Sequence, residues 1–72
     1  MPKYFFDLMG KNEMRDRSGI EFSNDADACR EAILRGTDRR HPEAPLYGEF
    51  ESIVVRGASG SIICAAPILH RK

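Results

Sequence analysis

Along the first ten residues, side chains fall into two sets with a period of two. Tyr4, Phe6 and Leu8 form one set and Phe5, Asp7 and Met9 the other, in a segment rich in β-forming aromatics. The alternation predicts a strand from Lys3 to Met9 with the first set facing inward. Gly10-Lys11-Asn12 tolerates positive φ, so a hairpin into a second strand, Glu13 to Asp16, follows. A further turn at Asp16-Arg17-Ser18-Gly19 leads to a short strand, Ile20 to Phe22. The spacing predicts a three-stranded antiparallel meander.

The period then changes. Ser23-Asn24 supplies an N-cap, and Asp25 and Asp27 place carboxylates where the first turn exposes its N–H groups. A helix is predicted from about Asp25 to Arg35, stopping with Gly36 at the C′ position. At about 100° per residue, Ala26, Cys29 and Ile33 share a face with Ala32 at its margin, and Asp27, Glu31 and Arg35 lie opposite. Residues 37 to 48 contain Pro42 and Pro45 without a usable period and read as a loop. Glu51 to Arg56 is a β-branched strand. Gly57-Ala58-Ser59-Gly60 turns it into Ser61 to Ala66, and Pro67, which has no N–H for a ladder, ends the hairpin. The order β-β-β-α-β-β defines a single α+β domain over residues 1–72, a small antiparallel sheet with one helix packed on one face.

Such a fold leaves surfaces uncovered. The last strand, Ser-Ile-Ile-Cys-Ala-Ala, is uncharged, and a bare apolar edge of that kind invites pairing with another chain. Phe5 and Met9, flanking Asp7, lie on the sheet face that a single helix cannot cover. A homodimer is therefore expected, with Phe5, Met9, Ile62, Ile63 and Cys64 as its interface. Length points the same way: a chain of 72 residues buries only roughly 60% of its unfolded surface, so a partner, metal or disulfide commonly supplements the core. Two cysteines are too few for a secreted disulfide scaffold. The opening Met1-Pro2-Lys3-Tyr4-Phe5-Phe6-Asp7 has neither the charge pattern nor the apolar length of a signal peptide. No apolar run approaches a membrane span. The expectation is a cytoplasmic protein with Cys29 and Cys64 as thiols.

Charge removes one class of function and leaves a narrower version of it. Eleven basic residues balance eleven acidic ones, so the chain lacks the cationic surplus of a general polyanion binder. Arg35, Arg39, Arg40 and His41 nonetheless cluster after the helix, giving residues 35 to 41 a net charge of +2 once Asp38 is counted. These cations complement the helix dipole; they also make a nucleic-acid-binding module the alternative function. Glu31 and Arg35 are spaced i,i+4, and Asp27 and Arg30 i,i+3, as stabilising pairs.

Chemistry is sparse. None of Ser18, Ser23, Ser52, Ser59 or Ser61 sits in a nucleophile elbow. Asp7 and Asp16 can face each other across the first hairpin, where two solvated carboxylates are the simpler account than an acid pair. Cys29, Cys64, His41 and His70 lie at no metal-binding spacing. No catalytic residue, cofactor or metal is expected, and the chain reads as a non-enzyme.

The opening Pro2-x-Tyr4-Phe5-Phe6, the Asp16-x-x-Gly19-x-Glu21 turn, the alanines Ala26, Ala28 and Ala32, and the Val55-x-Gly57-x-x-Gly60 hairpin resemble a family of short proteins common in rhizobia and related alphaproteobacteria, which carry the label of a domain of unknown function. The resemblance spans nearly the whole chain. It implies a bacterial cytoplasmic α+β domain and supplies no activity or site residue. Cys29 and the Arg39-Arg40-His41-Pro42 loop depart from the family pattern. The strand order is also similar to that of small antitoxins of the Hic toxin–antitoxin type, which implies a protein partner as a further alternative. The reading is a self-associating binding or accessory module.

Overall fold

The period-2 alternation of the first strand becomes the centre of the sheet in a computed structural model, which describes residues 1–37 and 44–69, the backbone alone at 44–46. Strand β1 (Lys3–Gly10) lies between β4 (Phe50–Gly57) on one side and the short strands β2 (Glu13–Met14) and β3 (Ile20–Glu21) on the other; β5 (Ile62–Pro67) follows β4 at the far edge. All pairings are antiparallel. The single helix α1 (Asp25–Thr37) packs on one face, so the expected α+β class and its element order stand.

Register explains the core. Phe6 opposes Val55 and Leu8 opposes Ile53 across β1 and β4, while Cys64 and Ala66 oppose Val55 and Ile53 across β4 and β5. These side chains share the helix face; Phe6, Leu8, Ile53, Val55 and Ala66 form one buried cluster with Tyr4, Ala28, Ala32, Tyr47, Phe50 and Ile68, and the half-buried Cys64 packs against it. Asn24 caps α1 by accepting the Asp27 N–H at 2.8 Å. The Tyr4 hydroxyl donates to Asp25 at 2.5 Å, tying the helix start to the sheet.

Five expectations need correction. The meander does not form, because β3 pairs with β1 (Lys3 with Glu21, Tyr4 with Ile20) and not with β2. The Asp16 carboxylate accepts the Phe6 N–H at 3.1 Å, taking the place of a strand carbonyl, so β2 and β3 are two ends of one interrupted edge strand. The helix runs through Gly36 to Thr37. Gly36 keeps a negative φ, and its carbonyl is capped by the Leu69 N–H at 2.9 Å. Its role is close approach: a Cβ there would stand 2.3 Å from the Pro67 carbonyl oxygen.

The third correction concerns the helix face. Ala28, Ala32 and Gly36, at i, i+4 and i+8, are the buried stripe, whereas Ala26 and Ile33 are exposed and Glu31 and Arg35 are half-buried. Small residues let the helix axis sit low on the sheet, which a large Ile33 would prevent. Fourth, the 37 to 48 loop contains a 3-10 helix, Ala44–Glu49, whose Tyr47 is buried in the core. Fifth, Cys29 and Cys64 are not thiols but a disulfide linking α1 to β5.

Candidate functional site

Two carboxylates organise the surface around β1. Asp7 lies on the face away from the helix and is 4% exposed, the one buried charged residue among those described. Its partner is Arg56, which lies across from Phe5 and two residues on from Val54, the residue opposite Asp7; the Arg56 Nε and Nη2 donate to the two carboxylate oxygens at 2.9 and 3.2 Å. The Asp16 N–H donates to Asp7 at 2.9 Å. Burial alone pushes the Asp7 carboxyl up, but the Arg56 guanidinium and the Asp16 N–H outweigh it and hold the group below the usual carboxylate range. The same hydrogen bond keeps Arg56 more firmly protonated. The Arg56 guanidinium also lies over the Phe5 ring, 4.8 Å from its centroid.

Asp16 carries the structure onward. Its carboxylate accepts N–H groups from Phe6, Ser18 and Gly19, at 3.1, 3.0 and 3.2 Å, which closes the segment between β2 and β3 into a fixed protrusion. Gly19 completes it at φ +74°, and a side chain there would strike Lys3 and Phe5. Asp7 and Asp16 therefore do meet, through the Asp16 N–H, but the Asp7 carboxylate is occupied by that N–H and Arg56 and the Asp16 carboxylate by backbone N–H groups.

The protrusion forms one wall of a cleft of about 420 Å³ on the helix side. Phe6, Leu8 and Ile53 line it from the sheet, Arg15 and Arg17 from the protrusion, and Tyr47 and Arg35 complete the lining. Arg35 donates to Glu31 at 2.7 Å and lies over the Phe6 ring, 4.9 Å from the centroid. Arg17 has no ion pair among the described residues, and Arg15 has a long, exposed contact with Glu13 at 3.6 Å. The Asp16-x-x-Gly19 turn was the signal in the sequence for this wall; the cleft itself depends on how far one helix reaches across the sheet.

The residues expected at a dimer interface divide between two faces. Phe5 and Met9 are half-buried on the side away from α1, and Ile62, paired with Arg56, is 71% exposed on that side. A register shift beside Arg56 lets Ile63 pack against the core, and Cys64 turns to the helix side in its bond to Cys29. Of the basic cluster, Arg35 is engaged as above, and Arg39, Arg40 and His41 lie outside the described residues, as does His70. Among the described residues no three His, Cys, Asp or Glu side chains converge as a metal would need, and no helix is long and apolar enough to cross a membrane.

These features define a two-layer α+β domain with an uncharged sheet edge at β5 and a cleft lined by arginines. The chain belongs to the family described as a domain of unknown function, DUF6894, whose model matches residues 3–70. Neither the curated proteins nor the solved structures provide a match.

Proposed function

We propose that this protein is a non-enzymatic binding module of a bacterial cell that self-associates through the free edge of β5. The observation that carries this reading is the chemistry of that edge. From Ile62 to Pro67 the strand has no charge, and one of its sides pairs with nothing among the described residues. Natural edges of this length are usually blunted by lysine or covered.

The surface above the edge is apolar as well. Ile33 lies one helical turn beyond Cys29, the residue bonded to β5, and is 54% exposed; Leu69, hydrogen-bonded to the helix end, is 58% exposed. A second copy related by a two-fold axis would offer the same stripe and satisfy the free backbone groups antiparallel to its own. Zero net charge opposes no such approach, and the Asp7–Arg56 pair is already satisfied within each chain.

Light scattering at micromolar concentration tests the proposal. A particle of about twice the 8.1 kDa chain mass is expected, returning to a single chain in the double variant Ile62→Lys, Ala65→Lys with unchanged circular dichroism. A wild-type protein that stays at 8.1 kDa overturns it, as does a variant that associates equally well. A cytoplasmic home adds one requirement: cellular thiols reduce accessible disulfides, and Cys29 and Cys64 are only half-buried, so the reduced chain must stay folded.

A further inference from the structure

We propose that the helix-side cleft is a binding site for a small amphipathic carboxylate, an apolar body with one anionic head. This goes beyond self-association and uses a different part of the molecule. A cleft of about 420 Å³ falls within the size range of small-molecule sites, and its lining sets apolar side chains beside the polar Arg15, Asp16, Arg17, Ser18 and Arg35. Met14 and Ile20, 51% and 37% exposed on the flanks of the protrusion, supply the accessible apolar surface, over a floor formed by the buried Phe6, Leu8 and Ile53.

The charge around this lining is one-sided. Three arginines, Arg15, Arg17 and Arg35, meet a single acid, Asp16. Asp16 is turned inward to three backbone N–H groups, and Arg35 is matched by Glu31. Arg17 is the cation with no ion pair among the described residues, on a protrusion whose backbone is fixed. A guanidinium presents two parallel N–H donors that match a carboxylate, so the head group goes to Arg17 and the apolar body to the lining. A neutral ligand would gain only the second contact and a short anion only the first.

Octanoate, 1-octanol and acetate are the probes, followed by amide chemical-shift titration of the full chain. Octanoate is expected to saturate, with shifts concentrated at Leu8, Gly19, Ile20 and Ile53. Binding of 1-octanol should be at least about tenfold weaker, and acetate should not saturate. Arg17→Ala should weaken octanoate about tenfold and leave 1-octanol unchanged. Arg17 is exposed on the protrusion, so that variant keeps the fold, and its unshifted amides elsewhere verify this. Equal binding of octanoate and 1-octanol, an unaffected Arg17→Ala, or shifts confined to Phe5, Val54 and Ile62 would overturn the assignment. Dimer formation is read separately by mass, so failure of one proposal leaves the other standing.

Discussion

Asp7 carries more of the fold than its position in an alternating strand suggests. It joins β1 to Arg56 on β4 and to the Asp16 backbone, so Asp7→Ala leaves the Asp16 N–H without this acceptor and the half-buried guanidinium of Arg56 with the long 3.4 Å bond to the Asp16 carbonyl in place of its ion pair. A loss of about 2–3 kcal/mol in denaturant unfolding is expected. The pH dependence has a definite sign. The folded pKa lies below the ordinary 3.8, so the stabilisation is present above that value and is lost as pH falls through the folded pKa. Melting temperatures of the wild type and Asp7→Ala should therefore converge in acid; a constant gap down to low pH would contradict the account. Tyr4 acts at the other extreme. Its hydrogen bond to Asp25, aided by burial, pushes the phenol up from 10.0 to about 12, so this contribution is lost only as pH rises through that value.

Gly36 separates propensity from packing at one residue. Alanine in a helix interior normally stabilises by about 1 kcal/mol relative to glycine. Here the added Cβ would press on the Pro67 carbonyl, and Gly36→Ala is expected to destabilise by about 1–3 kcal/mol. A stabilised variant would mean that the helix does not sit this close to β5.

At the scale of elements, the Cys29–Cys64 bond fixes α1 to the edge strand across a separation of 35 residues. Closing a loop of that length removes about 3–4 kcal/mol of unfolded-state entropy. Reduction, or Cys29→Ser with Cys64→Ser, should lower Tm by about 15–25 °C in a domain of this size. A drop of only a few degrees would place the stability in the sheet and the Ala28/Ala32/Gly36 stripe instead. The alternation of Tyr4, Phe6 and Leu8, the Asn24 cap and the β-branched run in β4 were all legible because they are local. The helix face is not legible in this way: Ile33 has the largest apolar side chain on its stripe, and the spacing of Ala28, Ala32 and Gly36 becomes decisive only with the sheet beneath it. The cysteine pairing and the split of β2 from β3 were equally non-local: each depends on register across strands, and Asp16 replaces a ladder bond that alternation alone would assign to a neighbouring strand.

At the scale of the whole molecule, among the described residues, one helix on a four-strand-wide sheet leaves the β5 edge, the face bearing Phe5 and Met9, and the cleft beside β1 incompletely covered. Self-association assigns the first to a second copy, and the separate cleft proposal assigns the last to a small amphipathic carboxylate. Amide hydrogen exchange in β5, followed at several protein concentrations, tests the edge assignment most directly. Amides of Ile62–Ala66 not bonded to β4 are expected to become protected as concentration rises and to exchange freely on dilution, in step with the change in mass. Free exchange of those amides at every concentration, whatever the mass, would contradict it.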